Sequence, residues 1–296
     1  MAHLPDYDSP TALKAFLDGR GMAMQKKFGQ NFMVNRAHRE RLVDALKIEP
    51  GTVVWEIGPG LGAMTASILD RGATLTAFEI DRGFCAALRE FFANRPNFSL
   101  VEGDVLKNWP GARERSGQPS YLFGNLPYNI AAAIVGDMIS AGMRFERIVV
   151  TVQKEVALRM AARPGTEDYS SFSVLCQWAY RVEPLMDLAA GSFWPRPNVT
   201  SRAVLMTRRD DWPRCASPET FMSLLRGLFS SRRKMIRNNF SAWLAQRAAS
   251  FSGEDTDALV ESLLGESGID PRARAETLDV DAFLRLSDAV SGRYAK

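Results

Sequence analysis

Val53-Val54-Trp55-Glu56-Ile57-Gly58-Pro59-Gly60-Leu61-Gly62 is the stretch on which the fold turns. An apolar run of strand length meets three alternating glycines, and residues 63–70 behind them carry a helical pattern. Such a strand–turn–helix lets a ligand lie against backbone at the carboxyl end of a sheet, beside a helix N-terminus. Outward from it the alternation repeats. Residues 74–79, 98–101, 121–123 and 148–152 read as strands, and residues 36–48, 84–91 and 131–138 as helices. Continuous apolar strands are buried on both faces, so the alternation predicts a doubly wound α/β sheet. Segments 183–188 and 201–207 read as the sheet edge. Beyond 218 only helical patterns remain, with capping signals at Ser217 and Asp270-Pro271. The expected organisation is an N-terminal extension over 1–25, a sheet domain over 26–210 and a smaller all-helical domain over 211–296.

The turn alone leaves two ligand classes open, a dinucleotide or a nucleoside without a pyrophosphate, such as S-adenosylmethionine. Its glycines are spaced GxGxG rather than GxGxxG, and Pro59 removes one N–H from any phosphate cradle. Both features count against a pyrophosphate. Glu79 ends the second strand, 21 residues after Gly58, where a carboxylate accepts hydrogen bonds from ribose hydroxyls. Asp104 closes the third strand and is placed to accept from an adenine amine. A glycine turn or a strand-end acid is commonplace by itself. Three such features in order, at three strand ends, favour a nucleoside cofactor.

Asn125-Leu126-Pro127-Tyr128 follows the fourth strand at the same edge. An exocyclic base amine is a poor nucleophile because its lone pair is delocalised into the ring. Two acceptors on its N–H groups favour the reactive pyramidal form. The Asn125 side-chain oxygen is one acceptor, and the Leu126 carbonyl, held extended by the following Pro127, is the expected second. Tyr128 offers a face on which a flipped base can stack. An ordinary strand-to-loop turn has the same composition. Its position after a cofactor turn favours the chemical reading.

Composition works by exclusion. Of 296 residues, 46% are hydrophobic and 24% charged, the balance of a globular protein. Cys85, Cys176 and Cys215 are far apart with no CxxC pair, which fits a reducing cytoplasm. Only His3 and His38 exist, so histidine-based metal sites and Ser-His or Cys-His catalysis fall away, and no metal is expected. No signal peptide is evident. The uncharged run 116–136 is long enough to span a bilayer, but Gly117, Pro119, Gly124 and Pro127 interrupt it. A cytoplasmic protein with no membrane partner is expected.

The 37 basic and 34 acidic residues give a net charge of only +3, which hides a strong asymmetry. Residues 220–253 contain no acid and six bases, Arg226, Arg232, Arg233, Lys234, Arg237 and Arg247. Residues 254–296 carry ten acids against five bases. A charge run is usually a solvated helix face. Beside a base-modifying site, phosphate tracking is the better reading, with salt-sensitive affinity. Lys26, Lys27, Arg36 and Arg39 are expected to extend the patch.

The chain resembles the bacterial small-subunit ribosomal RNA adenine dimethyltransferases, the kasugamycin-resistance dimethylases, from about residue 26 to the C-terminus. The resemblance rests on Lys27-Phe28-Gly29-Gln30-Asn31-Phe32, the turn from Glu56 to Gly62, Glu79-Ile80-Asp81 and Asn125 to Tyr128. Gln153-Lys154-Glu155-Val156, Phe193-x-Pro195-x-Pro197-x-Val199-x-Ser201 and Arg232-Arg233-Lys234-x-Ile236-Arg237-Asn238 add to it, as does Gly268-Ile269-Asp270-Pro271. It implies a Rossmann-like class I S-adenosylmethionine methyltransferase sheet. The cofactor contacts it implies are Gln30, Asn31, Met33, Gly58, Gly60, Glu79, Asp104 and Asn125, with Phe193 as a second aromatic wall opposite Tyr128. From the charge pattern, the expected RNA contacts are Lys26, Lys27, Arg232, Arg233, Lys234 and Arg237. The implied target is a pair of adjacent adenosines in the 3′-terminal hairpin loop of 16S ribosomal RNA, each dimethylated at N6 by a monomer acting on the (pre-)30S subunit. An assembly factor with secondary catalysis and a large-subunit adenine methylase are the competing functions. Met33 stands where the family has leucine, a volume-conserving change. Tyr169-Ser170-Ser171-Phe172-Ser173 departs from Tyr-Gly-Arg-Leu-Ser, which puts one RNA or loop contact in doubt.

Overall fold

The computed structural model describes residues 4–24, 30–127, 130–210, 214–247 and 255–294. In chain order its strands are β1 (Phe32–Met33), β2 (Val53–Ile57), β3 (Thr74–Glu79), β4 (Phe98–Glu102), β5 (Tyr121–Asn125), β6 (Arg147–Gln153), β7 (Tyr180–Leu188), β8 (Phe193–Trp194) and β9 (Ser201–Arg208). Seven form one sheet in the order β4-β3-β2-β5-β6-β9-β7, and β1 pairs with β8 apart from it. The neighbours from β4 to β6 run parallel, whereas β9 runs antiparallel to β6 from Arg147↔Thr207 to Gln153↔Ser201. The predicted doubly wound sheet is present. Its order reverses between β2 and β5, and a crevice opens at such a switch point beyond the carboxyl ends of the strands.

The helices beside this sheet are α2 (Arg36–Leu46), α3 (Ala63–Asp70), α4 (Arg82–Phe91), α5 (Val105–Ser116) and α6 (Ala131–Ser140). Strand β2 is apolar almost throughout because both its faces are covered. Trp55 is fully buried, edge-on to Phe78 at 5.0 Å between ring centroids and to Phe145 at 6.3 Å. Asn35, Asp81 and Asp104 cap α2, α4 and α5 through their side chains. Asp81 and Asp104 follow the ends of β3 and β4, so two of these caps stand at the carboxyl edge of the sheet.

Within the expected N-terminal extension, residues 4–24 carry a capped helix that packs on the sheet unit. Ser9 caps α1 (Pro10–Gly19), accepting from the Ala12 N–H. Leu13 and Leu17 are buried in one apolar cluster with Leu61, Phe84 and Ala87. Phe16 and Arg20 extend that contact, with the Arg20 guanidinium 4.7 Å from the Phe16 ring centroid and paired to Glu90.

The chain divides into two compact units, one of residues 1–157 and 182–208, the other of residues 158–181 and 209–296. The crossing at 208/209 lies close to the expected boundary at 210/211. Residues 158–181 nevertheless belong with the helical unit, so a linear division does not describe the molecule. The reason is packing. Trp178, on α8 (Ser171–Ala179) after α7 (Lys154–Ala161), sits 4.9 Å from Phe221 of α9 (Pro218–Leu228), and the Tyr169 hydroxyl donates to the Leu278 carbonyl at 2.8 Å. Helices α10 (Ile236–Ala245), α11 (Thr256–Glu266) and α12 (Val280–Tyr294) complete this core around Phe240, Leu263 and Phe283. The Tyr169-to-Ser173 departure is a helix cap here, since the Ser173 hydroxyl accepts from the Ser170 N–H at 3.0 Å. No helix among the described residues is long and apolar enough to cross a membrane.

Candidate functional site

The crevice is a cleft of about 890 Å³, a volume that includes the open space at its mouth. Most of its walls come from the stretches singled out in the sequence. Gln30, Asn31, Met33, Gly58, Gly60, Glu79, Asp104, Asn125 and Pro127 all line it. Two glycines show why the turn needs that residue. Gly60 has φ 60°, and a Cβ there would sit 3.1 Å from the Phe32 ring; Gly62 has φ 86°, and its Cβ would meet the Phe92 ring at 2.8 Å. The first keeps backbone against the cleft, and the second leaves room for the aromatic ring that follows α4.

Glu79 is held by backbone. Its Oε1 accepts from the N–H groups of Ile80 and Asp81, both at 2.9 Å, and its Oε2 from the Gly60 N–H at 3.1 Å. A carboxylate offers about four acceptor positions, so three protein donors leave one on Oε2. Burial pushes Glu79 up to about 7, against the pull of those N–H groups. Asp104 Oδ1 accepts from the Leu106 N–H at 3.0 Å, and no described residue donates to its Oδ2. Asp81 is shared, with Oδ1 on the Gly83 and Phe84 N–H groups and Oδ2 accepting from Gln30 Nε2 at 3.0 Å. Glu56 is a residue to which the motifs assign no role. It is buried behind the turn, Thr65 donates to its Oε2 at 2.6 Å, and its Oε1 has no partner among the described residues. Burial pushes it up to about 8.

At the end of β5, Asn125 Nδ2 donates to the Asn31 carbonyl at 3.0 Å. A carbonyl only accepts, so this contact fixes which end of the amide is which, and Oδ1 takes no hydrogen bond from a described residue. The Leu126 N–H is anchored on the Thr151 carbonyl at 3.0 Å. The Leu126 side chain is buried and does not line the cleft, and its carbonyl takes no hydrogen bond from a described residue. Tyr128 lies outside the described residues, as do Lys26 and Lys27. Phe193 is expected to face Tyr128, which lies outside the described residues. Phe193 itself is 2% exposed, pairs with Met33 across β1 and β8, and belongs to the hydrophobic core rather than the cleft lining. Strand alternation is the cause. With Phe193 turned inward, Trp194 takes the other face and stacks on Phe32 at 6.3 Å. Phe32 is an aromatic wall of the cleft, and a two-residue strand carries no periodic signal that would single it out.

The basic stretch divides in two. Arg232 is engaged with Glu276 at 3.0 Å and with the Glu167 carbonyl at 2.7 Å. Arg237 pairs with Glu261 at 3.0 Å and Asp257 at 3.5 Å, both on α11. Arg233 and Lys234 are exposed, with no ion pair among the described residues. Arg39 is buried and paired with Asp8, and Arg36 pairs with Glu40, so neither extends a free basic patch.

A parallel sheet reversing at a glycine turn, with acids at its next two strand ends and Asn-Leu-Pro at the fourth, defines a class I methyltransferase fold. Solved structures share it. A dimethyladenosine transferase from Plasmodium falciparum aligns with TM-score 0.74 at 24% identity, over 85% of this chain and 94% of that one. The 23S rRNA methyltransferase ErmE aligns with TM-score 0.61 at 24% identity, over 87% and 98%. The pattern of the family described as ribosomal RNA adenine dimethylase matches residues 21–286. Ribosomal RNA small subunit methyltransferase A of Treponema denticola is 44% identical over 97% of this chain and 96% of its own length. Its Treponema pallidum counterpart is 46% identical over 97% and 98%. The chain belongs to the ribosomal RNA adenine dimethylase family.

Proposed function

We propose that this chain transfers methyl groups from S-adenosylmethionine to N6 of two adjacent adenosines in the 3′-terminal hairpin loop of 16S ribosomal RNA, acting as a monomer on the (pre-)30S subunit. The observation that carries the reading is the Asn125 amide, a residue of the cleft lining whose Nδ2 is held by the Asn31 carbonyl, with no described residue donating to its oxygen. The name shared by the Treponema relatives supports the choice of the small subunit.

The cleft suits the cofactor. Glu79 keeps one acceptor position for a ribose hydroxyl, Asp104 keeps Oδ2 for an adenine amine, and Gly60 leaves room where a side chain would strike Phe32. Gln30, Asn31 and Met33 would close the opposite wall. When bound, the cofactor supplies an electrophilic methyl on a sulfonium.

The rest of the chemistry falls to the chain. Asn125 Oδ1 accepts one N–H of the target amine, and the Leu126 carbonyl is the proposed acceptor for the other. Tyr128 supplies the stacking face, on a scale of about 1–3 kcal/mol. No general base is needed, because the alkylated amine is itself acidic and releases its proton to solvent. The remaining contribution is alignment, where effective molarity supplies much of the rate.

The test is incubation with labelled S-adenosylmethionine and unmethylated small or large subunits, followed by digestion of the RNA to nucleosides. N6,N6-dimethyladenosine from the small subunit is expected. Label confined to the large subunit supports the competing methylase. Subunit binding without label supports an assembly factor.

A further inference from the structure

Residues 4–24 lie outside every contact assigned to the proposed reaction, yet they touch both walls of the cleft. The Tyr7 hydroxyl donates to the Leu61 carbonyl at 2.7 Å. Leu61 lies between Gly60, whose N–H holds Glu79, and Gly62, which opens α3. The next residue reaches the other wall. Asp8 Oδ1 accepts from Arg39 Nη2 at 2.5 Å, while Nη1 of the same guanidinium donates to the Met33 carbonyl at 2.8 Å. Arg39 is 8% exposed, and its guanidinium carbon lies 5.9 Å from the Tyr7 ring centroid. Behind these contacts, Leu13 and Leu17 pack in the cluster that contains Leu61 and Phe84, and Phe84 also lines the cleft.

We propose that Tyr7 and Asp8 are positioning residues that brace the two walls of the cofactor cleft, Tyr7 through the glycine turn and Asp8 through Arg39 and the Met33 carbonyl. The inference rests on the proposed use of S-adenosylmethionine. The hydroxyl of Tyr7 fixes the Leu61–Gly62 peptide plane, one residue beyond the Gly60 whose N–H orients Glu79. Burial raises the Tyr7 hydroxyl well above its ordinary value, so it remains a donor throughout the working pH range. Asp8 neutralises a nearly buried guanidinium whose other arm fixes the Met33 carbonyl. The brace spans the cleft, so it acts on cofactor affinity rather than on the target amine.

The full chain and four variants test this: Tyr7→Phe, Asp8→Asn, its charge-restoring counterpart Asp8→Glu and, as a control, Arg20→Ala. Arg20 anchors the far end of α1 on Glu90 and touches neither wall through a hydrogen bond. The readouts are the Kd of S-adenosylmethionine by calorimetry, KM for cofactor and for subunits, kcat and melting temperature. Tyr7→Phe is expected to raise the cofactor Kd and KM by roughly 3- to 10-fold, the scale of one hydrogen bond, with kcat and the subunit KM unchanged. Asp8→Asn should act in the same direction, and Asp8→Glu should restore affinity. Arg20→Ala should lower the melting temperature and leave the cofactor Kd alone. Unchanged cofactor affinity in Tyr7→Phe and Asp8→Asn overturns the inference, and so does an equal loss in Arg20→Ala. A wild-type chain that binds no S-adenosylmethionine overturns the underlying reading as well, whereas a wild-type chain that binds it beside unaffected variants overturns the brace alone.

Discussion

The sheet unit and the helical unit differ in how their polar residues are committed. In the sheet unit, Glu79, Asp104 and Asn125 all line the cleft, each is fixed by backbone N–H or C=O groups, and each keeps acceptor capacity that no described residue takes. In the helical unit, Arg232 and Arg237 are tied to acids of that unit, and Arg233 and Lys234 stand exposed. Side chains aimed by backbone suit chemistry that needs fixed geometry. Long exposed cations suit a polyanion whose phosphates need no single register. The contrast favours methyl transfer in one unit and RNA attraction by Arg233 and Lys234 in the other.

The largest expected effect breaks the first side of the comparison. Glu79→Ala removes the proposed ribose acceptor and the partner of the Gly60 N–H, so cofactor binding by calorimetry should fall by roughly 100-fold or more, the scale of losing a charged hydrogen-bond partner. Subunit binding should persist. Next, Gly62→Ala forces a side chain into a left-handed position against Phe92, and chemical denaturation should show a loss of about 2 kcal/mol or more. On the other side, reversing Arg233 and Lys234 to Glu should weaken RNA binding and lower the salt slope by about one per phosphate left without its cation. Arg237→Ala should change RNA affinity least, since Glu261 and Asp257 already hold its charge. Equal effects from Arg237 and Arg233 variants would remove the distinction.

The smallest effect concerns pH. Burial raises Glu56 and Glu79 from an ordinary 4.5 to about 8 and about 7, so protonation favours the folded chain. Their stabilising contribution is complete below about pH 4.5 and is lost as pH rises through 7 and 8. Cofactor affinity runs the opposite way, because the ribose acceptor is the ionised form of Glu79. Melting temperature without cofactor should therefore decline from about pH 5 to about pH 9 more steeply in the wild type than in Glu56→Gln.

What is legible in the sequence follows from the range of each cause. The strands β2 to β6 are apolar runs, and Glu79, Asp104 and Asn125 stand out because they end or follow such runs. The role of α1 is hidden although Leu13, Phe16 and Leu17 have helical spacing, because flanking prolines and glycines make the segment look detached. The pairing of Phe193 with Met33 is hidden because a two-residue strand gives no alternation from which to read it. Arg237 looks free in sequence because its acids lie 20 and 24 residues downstream, and only the packing of α10 on α11 brings them near. Residues 158–181 join the helical unit through Trp178 and Tyr169, a choice of core that local periodicity does not encode.

The central claim is that Asn125, oriented by the Asn31 carbonyl, activates the target amine. Single-turnover methyl transfer by Asn125→Ala, measured beside its affinity for unmethylated small subunits, tests it directly. The account predicts transfer reduced by roughly 10²- to 10³-fold, the scale of losing one preorganised group, with subunit affinity nearly intact. Wild-type turnover in that variant would contradict it.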